Sequence, residues 1–162
     1  MTSYQVIFDA FLSKIREDSW CNSDMSLQQI TADWESIMES ALPWFKMPKH
    51  SLKRVGNSYD NDEVVFGYFE EDLDDREIQI IAVLMKWQWL DRTINSWQNV
   101  KVMYDERDFS HGNLLNNFIK LLDEAQKEGW RLQKLYNRTS EDENGRRTAW
   151  KFSSLAGRGN GN

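Results

Sequence analysis

Nucleophilic or metal chemistry in this 162-residue chain would have to rest on very few side chains: two histidines, His50 and His111, and one cysteine, Cys21. A catalytic nucleophile needs a base within hydrogen-bond reach and a third group to orient that base. Asp108, Ser110 and His111 stand close enough in sequence to invite that reading. Residues this near a helix start serve more naturally as caps, with Asp108 or Ser110 accepting free backbone N–H groups. His50 lies in a Pro- and Lys-rich stretch and reads as a surface or hinge residue. No residue is therefore assigned a catalytic role, and the chain is not expected to be an enzyme.

Metal and cofactor patterns are equally sparse. The acidic run Glu70, Glu71, Asp72, Asp74, Asp75 and Glu77 has neither the spacing nor the glycine of a calcium loop. Its simplest reading is a solvated helix N-terminus, where negative charge complements the dipole. A negative face turned toward a partner is the second reading. Asp105, Asp108 and His111 could meet a cation, but no pair of histidines falls at helical ligand spacing. Phosphate-loop and dinucleotide glycine patterns are absent from the sequence. No metal and no cofactor is expected. Asn137-Arg138-Thr139 matches a glycosylation sequon, to which the polar opening of the chain, with no leader pattern, gives no meaning.

The sharpest local feature is the C-terminal segment. Arg146, Arg147, Lys151 and Arg158 are basic in a chain of net charge −6, and they alternate with Trp150 and Phe152. Three uses fit: docking on an acidic neighbour, folding back on its own domain, or binding RNA or DNA. Docking fits the charge pattern best, so Arg146, Arg147, Trp150 and Phe152 are the candidate partner-binding residues. The acidic balance disfavours a global grip on nucleic acid, whose affinity comes largely from phosphate neutralisation. A single cysteine suits reducing surroundings. The longest apolar stretch, Ile78 to Leu90, is broken by Gln79, Lys86 and Gln88 and is not expected to span a membrane.

The elements that would position these residues are mostly helical. Tyr4, Ile7, Phe8, Phe11, Leu12 and Ile15 repeat at helical spacing and predict a first helix over Tyr4 to Arg16. Ser26 with Gln29 makes a capping box, and Met25 with Ile30 a hydrophobic staple, for a second helix. Its stripe is Leu27, Ile30, Trp34, Ile37, Met38 and Ala41, and Pro43 and Pro48 end it. After it, residues 46–71 hold turn signals at Gly56-Asn57 and Asp60-Asn61-Asp62. The β-prone runs Leu52 to Val55 and Val64 to Phe69 there predict a small projecting hairpin or a loop with one strand pair. A third helix, apolar almost all round from Ile78 to Trp97, should be central. Trp87 and Trp89 stand about 200° apart on it, so one is expected to face another subunit. A polar connector over Asn99 to Asp108 leads to a fourth helix over Ser110 to Tyr136, ended or bent by Gly129. Trp34, Leu84, Phe118 and Leu122 are expected in one core. Asn144-Gly145 signals a turn in the tail. The fold class is thus mainly α: a bundle of about four helices over residues 1–138 with an insertion at 46–71, and a C-terminal arm over residues 139–162.

Across most of its length the chain resembles the head–tail adaptor (neck, or head-completion) proteins of tailed bacteriophages. The resemblance is carried by Tyr4 to Arg16 with the polar loop after it, and by Trp34 to Phe45 with its Leu42-Pro43-Trp44-Phe45 end. Further along it is carried by Glu70-Glu71-Asp72-Leu73, Ile80-Ile81-Ala82-Val83-Leu84-Met85-Lys86-Trp87, Tyr104 to Ser110, Leu114 to Leu122 and Tyr136-Asn137-Arg138. It implies a non-catalytic virion protein, a helical bundle with an inserted loop and extended arms. It further implies a homo-oligomeric ring of twelve, seated between the portal protein and the next neck or tail protein. DNA would pass through its lumen without specific binding. Assembly would take place in the host cytoplasm, with no membrane involved. The rival expectation is a helical regulatory or nucleic-acid-binding module using the basic arm.

Truncation after Arg138 should leave helicity and melting nearly unchanged but block incorporation of the subunit into tailed particles. Normal incorporation of the folded, truncated subunit would sink arm docking, and marked unfolding would favour the fold-back alternative.

Overall fold

Helix α3, Asp75–Met103, contacts every other helix of the fold. The reason lies in its sequence: Ile80 through Met85 is an unbroken apolar run, and all six residues are buried. A helix apolar on all sides must be covered on all sides. The computed structural model describes residues 1–15, 24–60, 63–103 and 109–138, with side chains described outside 97–103 and 109–114.

Around α3 pack α1 (Tyr4–Leu12), α2 (Leu27–Ala41) and α4 (Phe109–Arg138). Ser3 caps α1, and Tyr4, Ile7, Phe8 and Phe11 bury the face that the periodicity predicts. The Ser26–Gln29 capping box of α2 is present in both directions. Ile37, Met38 and Ala41 of its stripe are buried, Ile30 and Trp34 pack against the core from partial exposure, and Leu27 is exposed. Leu27 is the first residue of the helix and lies beyond the reach of the core. A 3-10 turn, Leu42–Trp44, follows with Pro43 inside it and ends the element as expected.

The five short strands are β1 (Thr2–Ser3), β2 (Arg54–Val55), β3 (Ser58–Asp60), β4 (Glu63–Val65) and β5 (Tyr68–Phe69). β3 and β4 pair as a hairpin with Tyr59 opposite Val64, while the two expected runs, Leu52 to Val55 and Val64 to Phe69, meet as β2 against β5. The rest of the insertion does not project. β5 lies between β1 and β2, both antiparallel to it, and Phe69 is fully buried. The N-terminal strand carries no pattern of its own at two residues, so periodicity could not reveal it. Gly67 makes this sheet possible: an added Cβ would lie 2.3 Å from the Val55 carbonyl oxygen and 2.7 Å from the Tyr4 ring.

α3 continues to Met103, into the stretch expected to be a connector. α4 runs without interruption through Gly129, which neither ends nor breaks it. There α4 lies against α3, where a Cβ would stand 3.4 Å from Leu84 and 3.7 Å from Val83. Of the four expected core residues Leu84 is fully buried, whereas Trp34, Phe118 and Leu122 are half-buried. At about 1.5 Å per residue, α3 and α4 are each about twice as long as α2 or more, so their far ends have fewer helices to pack against. Among the described residues, no helix is long and apolar enough to cross a membrane.

A Cβ at Gly129 would come within 3.4 Å of Leu84 Cδ2, ordinary contact distance. Gly129→Ala should therefore gain about 0.5–1 kcal/mol of helix stability, read as a higher midpoint in thermal or urea unfolding. Leu84→Ala should lose about 2–5 kcal/mol in the same measurement.

Candidate functional site

Glu77 is the most densely bonded side chain described, and it is fully buried. Its position follows from the helix start. Asp74 caps α3, its Oδ1 accepting from the Glu77 N–H at 2.8 Å, and Glu77 Oε2 accepts from the Asp74 N–H at 3.1 Å. That reciprocal box turns the carboxylate back toward the chain entering the helix. The loop after the 3-10 turn then closes over it. Lys49 and His50 each donate a backbone N–H to Glu77 Oε1 at 3.2 Å. His50 Nδ1 lies 2.6 Å from Oε2. From the last turns of α4, the buried Tyr136 hydroxyl donates to Oε1 at 2.5 Å while accepting from the Lys49 N–H at 2.9 Å. One turn earlier Gln133, also buried, accepts from the Lys46 N–H at 2.7 Å. A single carboxylate thus ties together the start of α3, the end of α4 and residues 46–50.

The electrostatics favour the ionised carboxylate. Burial pushes the Glu77 acid upward, but the hydrogen bonds from Tyr136, His50 and the backbone outweigh it and hold its pKa below the ordinary 4.5. The same bond drives Tyr136 the other way: burial first, then donation to Glu77, raises its phenol above the usual range. An ionised carboxylate only accepts, so His50 Nδ1 carries the proton and its Nε2 faces outward.

This arrangement corrects two expectations. Glu77 is no solvated helix-end charge, although Glu70, Glu71 and Asp75 on the same run are exposed. His50 is no free surface residue, since its ring is fastened to the buried carboxylate. The sequence held a signal for this. Glu77, Ile81 and Leu84 fall at helical i, i+4, i+7 spacing, so Glu77 stands on an apolar stripe. A carboxylate there must bring its partners with it.

Leading into the clamp, the segment from Trp44 to Met47 brings aromatic and apolar side chains to the surface. Trp44, 43% exposed, packs edge-on against Trp87 of α3 at 4.7 Å between ring centroids. Two residues on, Lys46 Nζ stands 4.2 Å above the ring of Trp130, itself 42% exposed. Met47 follows at φ 60 and 63% exposed, a left-handed conformation that costs an ordinary residue about 1–2 kcal/mol. The backbone bonds of Lys46 and Lys49 on either side hold it there. Trp87 and Trp89 both pack against the chain's own core from partial exposure.

Other candidates are less built. A polar cleft of about 540 Å³ between α2 and α3 is lined by Ser36, Ser40, Asp91, Arg92 and Asn95, beside an Arg92–Asp33 ion pair at 2.6 Å. Among the described residues no three His, Cys, Asp or Glu side chains gather as metal ligands would. Arg146, Arg147, Trp150 and Phe152 lie outside the described residues, as do Cys21, Asp105 and Asp108, and the side chain of His111 is not described. No family model matches the chain, and no curated protein and no solved structure matches it either.

The clamp has a pH signature. Because the folded-state pKa of Glu77 is lowered, its contribution is complete above about pH 4.5 and is lost as pH falls through the depressed value. Tyr136, and Tyr4 raised to about 12 mainly by burial, act oppositely. Their contribution is complete below pH 10 and is lost as pH rises through the raised values. Tyr136→Phe should cost about 1–3 kcal/mol at neutral pH by leaving the Lys49 N–H and Glu77 short of a partner. It should also flatten the alkaline limb of stability against pH measured by urea unfolding.

Proposed function

We propose that the chain is a non-catalytic structural subunit, a head–tail adaptor that assembles as a ring between the portal and the tail of a tailed bacteriophage. The observation that carries the reading is how the side chains are used. The best acid–base pair described, Glu77 with His50, is spent holding the fold. Its outer surface meanwhile displays Trp44, Met47 and Trp130. Large aromatic side chains on a rigid frame are what interfaces use as anchors, whereas a reacting centre needs an acid or base free to move a proton. The resemblance in sequence supplies the particular setting: the virion neck, a ring of twelve, a portal above and a neck or tail protein below. An acidic subunit also suits a lumen that DNA must pass through without being held.

The rival reading, a nucleic-acid-binding module, draws support from the stretch 46–54, where Lys46, Lys49, Lys53 and Arg54 occur with no acidic residue. The two readings part in one experiment. Negative-stain imaging of the purified protein, alone and mixed with the portal protein of the same genome, should show rings seated on portals. Free DNA should shift its sedimentation little at any salt concentration. Absence of rings together with salt-sensitive DNA binding would replace the adaptor by the binding module.

A further inference from the structure

We infer that the aromatic strip formed by Trp44, Met47 and Trp130 receives the β3–β4 hairpin of a second copy of this chain, in a head-to-tail contact. Three observations point to that occupant. The first is that the hairpin, which rests on α2 through β4, leaves most of its surface uncovered. Every residue of β3 is exposed, as are both ends of β4, and Tyr59 and Val65 are 42% and 56% exposed. A two-stranded ribbon with so little packing is marginal in water and gains from a surface to lie against.

The second is charge. The strip is basic: Lys46 stacks on Trp130, and Lys134 lies one turn further along the same face of α4. Lys127, one turn back, is paired with Asp123. The hairpin is acidic, with Asp60 opposite Glu63 at its described end, and residues 58–75 contain no lysine or arginine. The third is apolar fit. The strip offers two half-exposed indoles and a methionine, and the hairpin offers Val65 to cover them, on the face that also carries Asp60 and Glu63. The left-handed Met47, held outward by bonds on both sides, is the kind of local strain that persists where a surface is built to bind.

The two surfaces differ, so the contact is heterologous, and copies joined this way close into a ring when the rotation between them permits. The inference rests on the ring reading above but is tested without portal or particles, so the two can fail separately. Failure here leaves the imaging of rings on portals to stand by itself. The full chain is studied by sedimentation velocity in low and high salt. The wild-type protein should self-associate, less so as salt screens the contact. Asp60→Lys with Glu63→Lys should weaken association at least tenfold, and so should Lys46→Glu with Lys134→Glu. An equimolar mixture of the two variants should restore it, because every hairpin then meets a strip of opposite charge. Trp130→Ala should weaken it without lowering helicity. Should the paired lysine variant fold poorly, Lys134→Glu alone, at an exposed position, serves in its place. A wild-type chain that stays monomeric throughout, association indifferent to both charge reversals, or a mixture that stays dissociated would each overturn the contact.

Discussion

A carboxylate removed from water must be given back its hydrogen bonds, and Glu77 is given five of them by three separate parts of the chain. That requirement organises one end of the fold. It fixes where α3 begins, because Asp74 must cap it. It fixes where α4 must reach, because Tyr136 has to arrive at Oε1. It also fixes the path of Lys49 and His50, whose backbone N–H groups it accepts. Hydrophobic burial makes the bundle stable, but it is non-directional and would tolerate α4 slipping along α3. The one of the five bonds that α4 supplies, from Tyr136, does not tolerate a slip of even one turn.

From that fixed end the remaining packing follows. Gln133 and Tyr136 stand on the same stripe of α4 as Ala125 and Gly129, so once Tyr136 is seated, Gly129 comes to rest against Leu84 and Val83. α1 and α2 close the other sides of α3, and β1 stitches the chain's start to β5 through Thr2. The Thr2 hydroxyl accepts from the Leu73 N–H at 2.8 Å and donates to Asp72 at 3.2 Å. The entry to α3 is therefore held from two sides, by the amino-terminal strand and by the loop over Glu77. The aromatic strip inherits this rigidity. Lys46 and Met47 sit between the backbone bond to Gln133 and those to Glu77 and Tyr136, with Trp44 just before them. Their display on the surface is a consequence of the clamp rather than of loop preference. Rigid presentation lowers the entropy lost on docking, which is why a fixed loop makes a better anchor than a mobile one.

Much of the architecture was legible in the sequence because it depends on local rules. The capping box at Ser26 and the stripe of α1 need no knowledge of the rest of the chain. The same is true of the all-round apolar run from Ile80 to Met85. A period of 3.6 or an N-cap chemistry is written in neighbouring residues, and so is the bundle class that follows from several such helices. What the sequence determined by itself was therefore that four helices form, which of them is central, and how few histidine and cysteine side chains there are. Tertiary structure decided the use of individual residues. Glu77 reads as one more acid in an acidic run until α4 and the loop from Lys46 to His50 are brought to it. Gly129 reads as a helix breaker until Leu84 is seen against it. The two-residue strand at Thr2 is invisible until β5 lies alongside. In each case the deciding partner lies far along the chain, and no periodicity among neighbours encodes a contact made across the fold.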